Sequence, residues 1–363
     1  MKCRLEDIAI VTMGQSPKGD TYNSNGDGMP FLQGNRTFGD RYPTFDTWTT
    51  APTKIAEAGD VIMSVRAPVG DLNITPVKMC LGRGVCSIRA INGNQDFIYY
   101  LMKHSMGQLL SKESGTVFGS VNRNDINGLD VDVPEDPEVQ QRIARYLAAI
   151  DEKIETNKQI NDNLAQQASS IYHAWFEDFI LTDGACPSTW RQGTLADIAS
   201  VSSGKRPPVK SAEKTDIAVI PLVGAASVMG YTTEANHTDK ILVTGRVGTH
   251  GVVQRFCSPC WASDNTLVII SDFYEYTYQI LQRIDYHAMN RGSTQPLITQ
   301  GDMNKVPILI PDQKTLCEFE ALIGQLMEQY QANLVENNAL AELRDALLPK
   351  LMSGELDVSE VKL

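Results

Sequence analysis

The sequence predicts an α+β fold of two similar globular domains separated by two long helices that form an antiparallel coiled coil, a pseudo-two-fold internal repeat. Two observations carry this expectation. Segments from the two halves align without gaps, and each half is followed by a helical run whose heptad seam recurs in the other. A chain of 363 residues is long enough for two domains with separate cores.

The repeat begins near the N-terminus. "LEDIAIVTMGQSP" (Leu5 to Pro17) matches "LADIASVSSGKRP" (Leu195 to Pro207) at seven of thirteen positions. Next, "GDVIMSVRAPVG" from Gly59 resembles "DKILVTGRVGTHG" from Asp239, a short apolar strand delivering an arginine into a Gly-containing turn. Finally, "GTVFGSVNRNDINGLDVDVP" (Gly115 to Pro134) aligns with "GSTQPLITQGDMNKVPILIP" (Gly292 to Pro311). Gly115 falls on Gly292, Asp125 on Asp302, Asn127 on Asn304 and Pro134 on Pro311. Short β-like runs such as "VIMSV" and "TLVII" alternate with helical patterns such as "DFIYYLMKHSMGQLL". Expected boundaries are 1–138 for the first domain, 139–180 for a central helical spacer, 181–312 for the second domain and 313–363 for a C-terminal helical spacer and tail.

In the first helical run Ile143, Leu147, Ile150, Ile154, Asn157, Asn161, Leu164, Ala168, Ile171 and Trp175 follow 4-3-4-3 spacing. The second run repeats it, each position displaced by 176: Phe319, Ile323, Leu326, Tyr330, Asn333, Asn337, Leu340, Arg344, Leu347 and Leu351. Asparagine in an apolar seam costs stability, but it fixes register where it meets another asparagine. Antiparallel pairing with aligned centres places Asn157 against Asn337 and Asn161 against Asn333. Ile143 then meets Leu351, Trp175 meets Phe319, and Arg344 falls opposite Ile150, where snorkelling is expected to accommodate it. The seam from Ile143 to Trp175 is about 48 Å long at the α-helical rise. That is about 14 base pairs, a little over one turn of duplex DNA, and suits a ruler with a reader at each end.

The net charge of −12 argues at first against a nucleic-acid partner. Most of the excess lies in residues 141–180 and 312–363, so the domains themselves are close to neutral and each has room for a basic face. Seven scattered cysteines make no disulfide framework. "CSPC" (Cys257 to Cys260) has no second pair to complete a zinc site and reads as a turn between strands. No apolar run reaches the length of a membrane span and no signal peptide is evident, so a cytoplasmic protein is expected. Phosphate-binding, dinucleotide and methyltransferase signatures are missing, and the five histidines lack metal-ligand spacing. "PDQK" (Pro311 to Lys314) only superficially matches nuclease motifs, and Asp312 reads as a helix cap. No catalytic and no metal residues are expected.

"GDVIMSVRAPVGDLNIT", "LGRGVCSI", the paired segments ending at Pro134 and Pro311, and "LLPKLMSGEL" (Leu347 to Leu356) together resemble the specificity (S) subunit of type I restriction-modification systems. The resemblance covers essentially the whole chain. It implies two target recognition domains, each reading half of a bipartite sequence in double-stranded DNA. It implies helices that dock two methyltransferase subunits, which modify adenine at N6 with S-adenosylmethionine held by the methyltransferase. Restriction subunits, which use ATP and Mg, can join. No cofactor belongs to this chain. It further implies pseudo-circular order, with the tail from Met352 running back toward residues 1–10.

Base reading falls to polar side chains on loops. The first-domain candidates are Arg36, Arg66, Arg83, Ser120, Asn122 and Arg123. In the second domain they are Lys205, Arg206, Arg246, His250, Arg291, Ser293 and Gln295. Arg66 and Arg246 follow strands that look equivalent, and each has a structural alternative in tying its turn to the core. Three other readings remain at this point: a protein-binding scaffold that never touches DNA, a self-sufficient enzyme, and the specificity subunit of a fused type II system.

Overall fold

A computed structural model describes residues 1–111, 119–289 and 297–358. The chain divides into two compact units, one of Met1–Asn157 with Val335–Leu363 and one of Lys158–Leu334.

In the first unit an antiparallel four-stranded sheet runs in the order Ala9–Met13, Val85–Ala90, Val61–Ser64 and Leu72–Ile74. Its strand Val61–Ser64 is buried throughout because both faces are covered. Val61 and Met63 enter the core shared with the helix Gln95–Leu110, and Ile62 enters a second core with Leu81 and Val85. A five-stranded sheet supplies that second layer. Within it Met29–Leu32 lies parallel to Met79–Leu81. A two-stranded ribbon joins Lys2–Arg4 to Asp130–Asp132.

The second unit repeats the plan. Ser200–Ser203, Thr266–Ile270, Ile241–Gly245 and Gln254–Phe256 form its four-stranded sheet. Leu242 faces one core, while Ile241 and Val243 face another. The ribbon is Arg191–Thr194 with Pro307–Ile310. The helices Arg123–Asn127 and Gln300–Asn304 match, and each opens on a capping box, Asn122 with Asp125 and Thr299 with Asp302. The "CSPC" turn lies between the strands Gln254–Phe256 and Trp261–Ala262, with Cys257 exposed and Cys260 buried.

Two helices of 40 residues, Pro137–Phe176 and Gln313–Met352, carry the seams. Pro137 opens the first in the position where its missing N–H costs nothing, and Asp136 accepts a bond from Glu138 N at 2.8 Å. Asp312 accepts from Thr315 N at 3.0 Å and Trp190 Nε1 at 2.9 Å, which makes it the cap expected from the sequence. The Thr315 amide, assisted by Trp190, holds its carboxyl below the usual aspartate range.

The pairing is antiparallel in each unit. In the first, Asn157 Nδ2 donates to Asn337 Oδ1 at 2.9 Å, and Asn337 Nδ2 donates to the Ile154 carbonyl. In the second, Asn333 Nδ2 donates to Asn161 Oδ1 at 2.8 Å, Asn161 Nδ2 donates to the Tyr330 carbonyl, and Trp175 packs edge-on to Phe319. All four asparagines are buried. In each predicted pair one amide donates to the other, so a slip by one heptad would leave further buried amide groups unpaired.

Arg344 departs from expectation. It does not snorkel beside Ile150; its guanidinium forms an ion pair with Asp151 at 2.7 Å, with both side chains largely buried. Asp151 also accepts from Tyr100 OH at 2.7 Å. Asp151 is one position past the seam, so heptad spacing does not reveal it. The tail packs inward as far as Val358, which joins the core containing Leu5, Ala9 and Met352. No helix among the described residues is long and apolar enough to cross a membrane.

The long helix also clasps its neighbour. Glu320 accepts from the backbone N of Glu275 (3.0 Å) and of Tyr276 (2.8 Å) at the start of the helix Tyr274–Arg283. Burial nevertheless pushes its carboxyl up to about 7, with the Glu275 charge adding to the shift and the two amides and Arg255 opposing it. The folded value lies above that of the unfolded chain. Its stabilising contribution is therefore present in acid and lost as pH rises through about 7. Denaturant midpoints of the second unit should fall between about pH 5 and pH 8, and Glu320→Gln should flatten that dependence.

Candidate nucleic-acid interface

In the first unit backbone bonds gather five loops along one rim. Val121 N donates to Val65 O (3.1 Å), Val65 N to Gly84 O (2.9 Å) and Gly84 N to Gln33 O (3.0 Å). Gly14 N reaches Val85 O at 3.0 Å and Gln15 N reaches Leu81 O at 2.9 Å. Arg83 N donates to Ser16 Oγ, which in turn donates to Gln33 Oε1. The approach at Gly14 is so close that a Cβ there would stand 2.0 Å from the Gly82 carbonyl oxygen, which is why the turn needs glycine.

Arg66, Arg83 and Ser120 are thereby brought onto this rim, with Arg66 and Ser120 bridged as neighbouring strand residues. Arg66, Arg83 and Arg123 are exposed. Arg36 is also exposed, but it is hydrogen-bonded to Asp46 at 2.6 Å. That contact holds the Asp46 carboxyl below its usual range. Surface pairs of this kind are weak, so a phosphate can compete for Arg36. The Asn122 side chain accepts from Asn124 N and Asp125 N; its oxygen is a cap, and only its NH2 group is left to contact a ligand.

The second unit builds a matching rim, and four of these bonds recur in it. Ile298 N donates to Arg246 O (3.0 Å), Arg246 N to Asn265 O (2.8 Å), Gly204 N to Thr266 O (3.1 Å) and Lys205 N to Ala262 O (2.9 Å). Lys205 and Arg206 are exposed there.

Two expectations need correction. Arg66 and Arg246 are not equivalent, because Arg246 makes the bonds of Val65 and Val247 makes the bridge of Arg66. Side chains alternate along extended backbone, so this one-residue offset turns them to different faces: Arg66 is exposed and Arg246 half-buried. His250 does not present its ring outward either. Its Nδ1 lies 3.1 Å from the Gly245 carbonyl oxygen, and its Nε2 is buried without a partner among the described residues. Arg291, Ser293 and Gln295, with Gly115 and Gly292, lie outside the described residues.

Sequence reasoning placed Arg36 on the loop at Gln33 but missed that loop's counterpart after Val223. These are equivalent because Gly82 N donates to Leu32 O (2.7 Å) as Ser263 N does to Val223 O (3.1 Å). A repeat offset of 191 between Leu32 and Val223, against 190 for Leu5 and Leu195, was the available signal.

A rim of exposed cations on a rigid sheet edge can grip phosphate and present hydrogen-bond donors to base edges. The family model described as type I restriction modification DNA specificity domain matches residues 1–166 and again 187–344. The type I restriction enzyme MjaIX specificity subunit of Methanocaldococcus jannaschii is 25% identical, with 99% of this chain and 94% of that protein covered. The MjaX specificity subunit of the same organism is 36% identical over 163 residues, 44% of this chain but only 38% of that relative. Among solved structures, the S subunit of a type I restriction-modification system from M. genitalium superposes with a TM-score of 0.63. It is 17% identical, and 97% of this chain and 96% of that one are covered.

Proposed function

Because the chain belongs to the type I restriction modification DNA specificity family, we propose that it is the non-catalytic subunit that reads a bipartite sequence in double-stranded DNA. Each unit reads one half-site through its loop rim. The observation that carries this reading is the duplication of that rim, with corresponding backbone bonds and exposed cations in both copies. The acidic long helices dock two adenine-N6 methyltransferase subunits, and restriction subunits join through those. S-adenosylmethionine stays on the methyltransferase, and ATP and Mg on the restriction partner. The two seams set the spacing of the half-sites.

The test is a genome-wide map of N6-methyladenine in the source cell with and without this gene. Loss of methylation at one bipartite motif is the expected result, and it supplies both half-sites. Unchanged methylation, together with no new methylation when the chain is co-expressed with the neighbouring methyltransferase, overturns the reading and favours a scaffold without DNA contact. In the assembled complex, Arg83→Ala and Lys205→Ala should each weaken binding to all sequences. Each should also lower the slope of log affinity on log salt by about 1, measured by fluorescence anisotropy on a labelled duplex.

A further inference from the structure

The two rims carry opposite charge at one turn. In the first, Val85 N donates to Gly82 O (3.1 Å) and closes a turn whose middle residues are Arg83 and Gly84. In the second, Thr266 N donates to Ser263 O (3.0 Å) around Asp264 and Asn265. Bonds on both sides match the two turns. Gly82 N reaches Leu32 O as Ser263 N reaches Val223 O, and the carbonyls of Gly84 and Asn265 accept from Val65 N and Arg246 N. Asp264 therefore stands where the first rim has Arg83. We propose that the Asp264 carboxylate reads a cytosine through its N4 amine in the DNA major groove, an inference that rests on the DNA-reading function proposed above.

The turn does not need this carboxylate. Aspartate commonly serves a turn by accepting from the backbone N–H two residues on. Here that N–H belongs to Thr266 and is taken by the Ser263 carbonyl, which also accepts from Thr266 Oγ1 at 2.7 Å. Among the described residues the Asp264 carboxylate has no hydrogen bond and no ion pair, not even with Lys205 or Arg206. The turn is nevertheless held firmly. Gly204 N and Lys205 N donate to the carbonyls of Thr266 and Ala262 on either side of it, and a Cβ on Gly204 would stand 2.1 Å from Ser263 O. It is also uncovered. In the first rim Gly84 N donates to Gln33 O, and a Cβ there would meet that oxygen at 2.5 Å, whereas Asn265 carries a side chain and both it and Asp264 are exposed.

A free carboxylate on a surface that grips phosphate works against binding unless it meets a donor. The major groove offers two such donors, adenine N6 and cytosine N4. Adenine sets the acceptor N7 beside its amine, which suits a side-chain amide and repels a carboxylate. Cytosine presents its N4 amine with no acceptor of its own, and an ionised carboxyl, an acceptor alone, satisfies that pattern. Lys205 and Arg206, exposed on the loop bonded to this turn, hold the phosphates while Asp264 reads. Two domains that must read different half-sites then use one turn in two ways, gripping phosphate through Arg83 in the first and reading a base in the second.

The experiment uses the complex of full chain and methyltransferase on duplexes bearing the mapped motif. Each base pair of either half-site is changed in turn, and each cytosine is also replaced by pyrimidin-2-one, which lacks only the N4 amine. At one cytosine in one half-site the parent complex should lose about fivefold or more in affinity when the amine is removed. In Asp264→Ala that loss should vanish at this position alone, while the salt slope, which counts phosphate contacts, stays as in the parent chain. Asp264→Asn, whose amide both donates and accepts, should relax the choice between that cytosine and adenine. An unchanged preference at every cytosine in Asp264→Ala overturns the inference. So does a motif with no cytosine that responds, or a preference lost at an adenine instead, and in each case salt-dependent binding leaves the wider reading standing. No salt-dependent binding to any duplex overturns both.

Discussion

Glu275→Ala should destabilise the second unit by about 3–5 kcal/mol, the cost of leaving a buried charge without its partner. Arg255, on the strand Gln254–Phe256, donates Nη1 to Glu275 Oε2 at 2.6 Å and Nη2 to Glu275 Oε1 at 2.7 Å, a two-pronged pair with side chains only 8% and 5% exposed. Tyr274 and Tyr278 lie against the guanidinium, with ring centroids 4.8 and 4.6 Å from its central carbon. Nothing else described near the pair can neutralise Arg255 except Glu320, whose carboxyl burial already holds partly protonated near neutrality. Glu275→Gln keeps the shape and one acceptor and should fall between the parent and the alanine variant. Replacing both partners, Arg255→Met with Glu275→Leu, should return most of the loss, because two apolar side chains need no compensation. Denaturant unfolding of the full chain, followed at a probe in the second unit, measures all three. An alanine variant as stable as the parent would show that the pair is solvated in solution.

The parts of this molecule that were legible in the sequence are those where one pattern serves one purpose. Heptad spacing displaced by a constant 176 announces paired helices, and the asparagines at mid-seam identify the register, because a buried amide is better placed against another amide than against an apolar side chain. Asp312 was readable as a cap because capping is decided within four residues. What stayed hidden depends on which face a side chain takes once the sheets assemble. Arg246 follows its strand as Arg66 does, yet it occupies the place of the buried Val65, because the two arginines stand one residue apart once the strands are matched by their pairing. His250 has the chemistry of a base reader but points its ring into the protein. Loop positions on the rim were foreseeable from residue type alone; their side-chain directions were not.

The second large effect is expected at Arg344. Removing the guanidinium in Arg344→Leu fills an apolar seam position, yet it should cost the first unit about 3–5 kcal/mol, because Asp151 is then buried with Tyr100 OH as its main remaining donor. The repeat supplies the internal control. Displaced by 176, the counterparts of Arg344 and Asp151 in the second unit are Ala168 and Met327, buried at 0% and 3% exposure in an aromatic-rich core. The same chain thus already holds an apolar solution to the same position of the same seam. Transplanting it, as Arg344→Ala with Asp151→Met, should restore stability to within about 1 kcal/mol of the parent or exceed it, whereas either substitution alone should not. If the double variant is as damaged as the singles, the first seam depends on its ion pair for more than charge compensation. If it recovers, the pair adds little net stability and its consequence is to make the two ends of an otherwise repeated seam chemically unlike.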